Sequence, residues 1–152
     1  MEITIVTEDS VQTAGYIHSA AWQASHRAFC SAEFIARHTP ERQTGYLLDK
    51  MRKGAAVYLL TDGQPVGIVS VTENLIEDLY VLPPFQNRGY GSMLLNFAIE
   101  RCVGTPVLWI LNNNDGARRL YERRGFRATG RRHPLSDTLS EIEFILQTGE
   151  HI

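Results

Sequence analysis

The chain has 152 residues, 43% of them hydrophobic and 21% charged, with a formal net charge of -2. That length and balance fit one globular domain with one core and exclude the basic excess that marks a nucleic-acid binder. No apolar run approaches the roughly 18 residues of a membrane span, and Cys30 and Cys102 lie too far apart for a zinc or redox motif.

The opening residues, "MEITIVTEDS", lack the regions of a secretory leader, so a reducing cytoplasm is the expected compartment. The β-branched run "EITIV" (2–6) predicts a strand. "TEDS" then offers caps for a helix in which Val11, Ala14, Ile17, Ala20, Ala21 and Ala24 recur at helical spacing to about Ala28. "SAEFIARH" predicts a short second helix capped by Ser31, and "ERQTGYLLDKMRK" after Pro40 a third, ending near Gly54. "AAVYLLT", "DGQ" and "PVGIVSVT" predict two strands about a tight Asp-Gly turn. "LIEDLYVL" (75–82) follows so closely that antiparallel pairing is expected. Strict alternation along it puts Glu77, Leu79 and Val81 on one face and Asp78 and Tyr80 on the other.

A helix is predicted from about Gly89 to Cys102, with Leu94, Leu95, Ala98, Ile99 and Cys102 on one stripe. "PVLWIL" (106–111) is apolar throughout, as in a strand covered on both faces. "DGARRLYERR" predicts a helix that stops at Gly125, and "FRATGRR" and "SEIEFIL" are closing strands. The class is α+β, or mixed α/β: a single domain over residues 1–152, with one sheet packed by helices.

The segment "VLPPFQNRGYGSMLL" joins a strand to a helix through a glycine-punctuated turn. A helix start carries N–H groups without internal partners, and its dipole adds partial positive charge. Glycines at 89 and 91 let an anion approach the backbone, and Arg88 adds a charge. Such a turn serves equally as a plain chain reversal. It is not a dinucleotide fingerprint, because Leu94 stands where a third glycine is needed, and no Gly-Lys-Ser/Thr makes it a P-loop.

In its wider setting, "LYVLPPFQNRGYGSMLL" resembles the signature of the GNAT superfamily of N-acetyltransferases, Gln/Arg-x-x-Gly-x-Gly/Ala, at Gln86, Asn87, Arg88, Gly89, Tyr90 and Gly91. "VLWILNNNDGARRLYERRGF" resembles the family's next motif, with Asn114, Ala117, Tyr121, Gly125 and Phe126 in place. The two motifs stand in the family's order and spacing, and the resemblance covers residues 56–146. It implies a central mixed, mostly antiparallel sheet flanked by helices, with two splayed parallel strands (76–82 and 106–111) forming an acetyl-CoA cleft.

The resemblance also implies roles. The backbone of Leu79, Tyr80 and Val81 would pair with the pantetheine arm, and N–H groups of Gln86, Asn87, Arg88, Gly89, Tyr90, Gly91 and Ser92 would hold the pyrophosphate. Asn114 matches a pantetheine-bonding position, and Tyr121 the acid that protonates the leaving thiolate. A base must free the attacking amine of its proton. Glu77 is the first choice and Glu73 the second, although each suits a solvated hairpin carboxylate as well.

Trp22 and His26, with Phe29, fall near one helical face and read either as an acceptor wall, with His26 a second candidate base, or as an aromatic cluster beside a surface histidine. His18 reads as structural or exposed. Arg118, Arg119, Arg123 and Arg124 cannot all face one way, so most are solvated and one or two are left to meet the 3′-phosphate of CoA. Glu141 and Glu143 alternate with Ile142 and face either a cleft or water.

The activity expected from the resemblance is direct, acetyl-CoA-dependent N-acetylation of a primary amine, on a small molecule, a peptide or a protein. No metal, nucleic acid or membrane is expected, and the family resemblance makes a homodimer possible. The alternative is a non-catalytic acyl-CoA-binding regulatory or interaction module on the same fold.

Overall fold

The computed structural model describes residues 1–147. Strand β1 (Glu2–Ile5) leads into α1 (Val11–His26), which ends two residues before the expected Ala28. Helix α2 (Ala32–Ala36) is capped by the Ser31 side chain, which accepts from the Phe34 N–H. Helix α3 (Pro40–Arg52) starts at the proline itself, where the missing N–H costs nothing, and Thr39 caps it through the Arg42 N–H. Strands β2 (Ala56–Thr61), β3 (Pro65–Thr72) and β4 (Leu75–Val81) form the expected antiparallel meander.

A short 3₁₀ turn (Pro83–Phe85) connects β4 to α4 (Tyr90–Arg101). Then follow β5 (Val107–Leu111), α5 (Asp115–Arg124), β6 (Phe126–Pro134) and β7 (Ser140–Leu146). Helix α5 stops where expected, at Gly125 in the left-handed conformation.

Among the described residues, seven strands make one sheet in the order β1-β2-β3-β4-β5-β7-β6. Every neighbouring pair is antiparallel except β4–β5. The mixed, mostly antiparallel architecture expected from the sequence is therefore the observed one. Two apolar layers cover its faces. One joins the sheet to α4 and α5 through Val69, Ile76, Leu94, Leu95, Leu108 and Phe144. The other joins it to α1 and α3 through Val11, Ile17, Leu47, Val57 and Ile68. Leu94 and Leu95 are fully buried, and each such burial contributes about 2 kcal/mol. No helix among the described residues is long and apolar enough to cross a membrane.

The expected alternation along β4 does not hold. Ser70 pairs with Glu77 but Ile68 pairs with Tyr80, so Val69 opposes two residues, Asp78 and Leu79. Asp78 takes φ 54°, and the extra residue makes a bulge. Leu79 and Val81 pack toward the α4 layer and Tyr80 toward the α1 layer. Glu77 and Asp78 both bond Lys50 of α3, so Glu77 lies with Asp78 rather than with Leu79 and Val81.

Candidate active site

Strands β4 and β5 pair only at Leu75–Val107 and Ile76–Leu108. Beyond that point they part, at the bulge, and two cavities fill the opening. The smaller, about 300 Å³, lies between the strands and is reached by Trp22, His26, Glu77, Asp78, Tyr121 and Glu141. The larger, about 600 Å³, runs from Leu79, Tyr80 and Val81 along the loop before α4 to α5. Asn114 and Tyr121 border both.

The loop is held by its own side chains. Gln86 Nε2 donates to the Val81 carbonyl at 3.0 Å, which ties the turn to the strand end. Asn87 (φ 63°) and Gly89 (φ 90°) adopt left-handed conformations, which turn the chain into α4. Asparagine and glycine are the residues that tolerate this. Gly89 is the helix cap but offers no side-chain oxygen, so the first N–H groups of α4 are left uncapped by it. A Cβ at Gly91 would stand 3.5 Å from Leu120, on the wall of the larger cavity. Gln86, Asn87, Gly89, Gly91 and Ser92 all line that cavity.

Arg88 and Tyr90 do not line it. Arg88 is exposed over the Phe85 ring, 5.7 Å from its centroid. The Tyr90 hydroxyl donates to Asp62 in the β2–β3 turn at 2.5 Å.

Helix α5 forms the opposite wall. Asn114 caps it, its Oδ1 accepting from the Ala117 N–H at 3.1 Å, which leaves the side-chain NH₂ for other partners. Tyr121 is buried, and burial pushes its hydroxyl above tyrosine's ordinary range, so it stays protonated. The arginines divide as helical spacing requires: Arg119 and Arg123 line the larger cavity, Arg124 donates to Asn96, and Arg118 lies over Phe144.

Beneath the bulge lies a buried polar network. Asp78 accepts from His18 Nε2 (3.0 Å), Lys50 Nζ (2.6 Å), Ser70 Oγ (2.8 Å) and the Tyr46 hydroxyl (3.1 Å). Lys50 also donates to Glu77 at 2.7 Å, and Gln43 Nε2 to His18 Nδ1 at 3.0 Å. Burial alone would raise the Asp78 carboxyl. The His18 hydrogen bond and the Lys50 charge overcome it and hold the group well below the usual carboxylate range. Burial likewise opposes the Lys50 ammonium, but Asp78 and Glu77 keep it above its ordinary value. Tyr46 is pushed up to about 12, by burial first and then by Asp78.

His18 is therefore buried and structural, not exposed. The sequence reading missed Lys50 and His18 as partners of Asp78, because no local spacing links α1, α3 and β4.

Trp22 is stacked between His26 (3.9 Å between centroids) and His38 (3.5 Å), with Phe34 at its edge. It and His26 border the smaller cavity. Glu73 does not join them. It is exposed in the β3–β4 turn at φ 55°, where its carbonyl accepts from the Val103 N–H, and it lines neither cavity. Glu141 reaches the smaller cavity, whereas Glu143 is buried against Thr129 and Arg131. Among the described residues no cluster of three or more His, Cys, Asp or Glu side chains could hold a metal.

The chain matches the acetyltransferase (GNAT) family over residues 20–126. It is 32% identical to an uncharacterized N-acetyltransferase from Archaeoglobus fulgidus over 118 residues, 68% of this chain and 80% of the relative. Its fold is similar to that of the PaiA N-acetyltransferase of Thermoplasma acidophilum, solved in complex with coenzyme A (TM-score 0.68, 16% identity, covering 94% of this chain and 98% of that one). It is also similar to yncA of Salmonella typhimurium, solved with its cofactor acetyl-CoA (TM-score 0.71, 20% identity, covering 100% and 96%). At those identities the structural likeness speaks for the fold, while the sequence matches carry the assignment: the chain belongs to the acetyltransferase (GNAT) family.

Proposed function

We propose that the protein transfers an acetyl group from acetyl-CoA directly to the primary amine of a small molecule, peptide or protein. The observation that carries this reading is the stretch of β4 at Leu79, Tyr80 and Val81, which has no partner on its β5 side and borders the same cavity as the start of α4. An extended pantetheine arm suits such a strand edge, because it can accept and donate main-chain hydrogen bonds there. A pyrophosphate suits the N–H groups of residues 86–92, where Gly91 adds no side chain. The free NH₂ of Asn114 is available to a pantetheine carbonyl. Arg119 and Arg123 supply positive charge along the cavity for the remaining phosphate.

Bound there, acetyl-CoA supplies an activated acyl group as its thioester. The chain supplies the rest. Backbone N–H groups of β4 stabilise charge developing on the acyl oxygen. Tyr121, kept protonated by burial, gives a proton to the departing sulfur. Glu77 and His26 both border the smaller cavity and are the candidates for taking the amine's proton. A cytoplasmic setting and a homodimer belong to the same reading. The test is a thermal shift with acetyl-CoA, followed by thiol release with a panel of amines and peptides. A rise in Tm together with release for at least one amine supports the reading. Tight binding with no turnover favours a non-catalytic acyl-CoA-binding module instead.

A further inference from the structure

Two candidate bases reach the smaller cavity on different terms. The Glu77 carboxylate is bonded at 2.7 Å to Lys50, an ammonium that Asp78 also holds. A proton taken up at Glu77 would break that ion pair and leave Lys50, a mostly buried cation, with one counter-ion fewer. Asp78 is committed more fully still, to four donors.

His26 is arranged differently. Its Nδ1 lies 2.8 Å from the Trp22 carbonyl, one turn back on α1. A carbonyl oxygen only accepts, so Nδ1 carries the hydrogen. The nearby Ser25 hydroxyl (2.9 Å from Nδ1) donates to that same carbonyl and is free to share the Nδ1–H. In the neutral ring the lone pair is then on Nε2, the opposite edge. The ring plane is fixed by its stack on Trp22, with an interplanar angle of 13°. Burial holds the ring below histidine's ordinary value, more than the Trp22 bond raises it, and His38 and His18 add to the lowering. Glu77, Asp78 and Tyr80 of β4, Tyr121 of α5 and Glu141 of β7 are the other ionisable groups of this cavity.

We propose that His26 Nε2 is the base that accepts the acceptor amine's proton, in the cavity where Tyr121 serves the departing sulfur. The assignment rests on the acetyltransfer reading above. Nε2 takes one proton from the acceptor ammonium, which frees its lone pair, and the neutral amine then attacks, its second proton passing to water as the C–N bond forms and the C–S bond breaks. Tyr121 gives its hydroxyl proton to the sulfur and regains one from water, and the His26 imidazolium returns its proton to water. Glu77 is a positioning residue in this scheme: with Asp78 it holds Lys50 under the bulge that opens the cleft.

The experiment compares wild type with His26→Phe, which keeps a ring to stack on Trp22, and with His26→Gln, Glu77→Gln and Glu141→Gln. Thiol release from acetyl-CoA is followed as a function of pH with tryptamine, spermidine, kanamycin and a peptide with a free amino terminus. Both His26 variants should lose about 100-fold in kcat near neutral pH, with acetyl-CoA affinity unchanged. The loss should shrink as pH rises toward the amine's own pKa, because the acceptor then sheds its proton unaided. A carboxylate variant showing this pH-restored loss in place of the His26 variants overturns the assignment, as do His26 variants of undiminished rate. A wild type that releases no thiol with any probe overturns the acetyltransfer reading, and this assignment with it. Independently, ¹⁵N spectra of the histidine rings should show His26 neutral and protonated at Nδ1. A proton on Nε2 in the neutral ring, or a charged ring near neutral pH, overturns the proposal without reference to turnover.

Discussion

His18 Nε2 lies 3.0 Å from Asp78 Oδ1 across sixty residues of sequence, with both side chains buried. That bond, with Lys50, Ser70 and Tyr46, holds an aspartate at positive φ in the middle of a strand. The strain is modest but real for a non-glycine residue. Asp78 therefore links the N-terminal helices to the point where β4 leaves β5. Asp78→Ala should destabilise the fold by about 3 kcal/mol or more, because it strands Lys50 and His18 without their main partner. The pH dependence follows from the lowered Asp78 value. A carboxyl depressed in the native state stabilises above its unfolded value of 3.8 and loses that contribution as pH falls toward its native value. In urea titrations the gap between wild type and Asp78→Asn should hold at neutral pH and narrow only below that value.

Tyr121→Phe separates chemistry from binding. The ring packs beside Phe126 (6.0 Å between centroids), and phenylalanine keeps that contact. Turnover should fall about 100-fold while acetyl-CoA affinity, read by calorimetry, stays as it was. Because burial raises the Tyr121 hydroxyl, the wild-type rate should not decline on its account at pH values where an exposed tyrosine would ionise. An unchanged rate for the phenylalanine variant would remove the acid role.

Most of the fold was legible, for reasons that are local. The Asp-Gly turn, the stripe of Leu94, Leu95 and Ala98, and Gly125 after α5 each state their structure within a few residues. The loop before α4 was legible in the same way, since a turn that leads into a helix start sets Gln86, Asn87, Gly89, Gly91 and Ser92 along one cavity. The bulge at Asp78 was not. "LIEDLYV" alternates well enough to read as a regular strand, and the cause of the irregularity lies on α1 and α3. The same holds for His26, whose tautomer depends on a carbonyl one turn away and whose cavity depends on β4 parting from β5.

The loop before α4 makes a sharper prediction at Asn87 than at Arg88. Asn87 holds φ 63°, so Asn87→Ala should cost about 1 kcal/mol of stability and Asn87→Gly almost none. Gly91 has no left-handed conformation and a Cβ there would meet Leu120 at ordinary contact distance, so a larger side chain is expected to act on the space of the cavity rather than on the backbone. Gly91→Val should fold but weaken acetyl-CoA binding by at least about 1.4 kcal/mol, tenfold in Kd. Retained affinity in calorimetry would reduce the segment to a turn.

The packing of α1 on α3 has its own test. Gly15 is buried on α1, and a Cβ there would press into Thr44, 2.8 Å from its backbone nitrogen and Cα. The clash with main chain cannot be relieved by a side-chain rotation. The helices must separate, and their contact carries His18 and Lys50 to Asp78. Gly15→Ala should therefore destabilise by about 2 kcal/mol and lower Tm by about 6 °C, despite alanine's better helix propensity. If the network beneath the bulge shapes the cleft, the variant should also lose turnover at temperatures well below its Tm. A variant of unchanged stability would show that α1 and α3 are packed less closely at this crossing than the Gly15–Thr44 geometry requires.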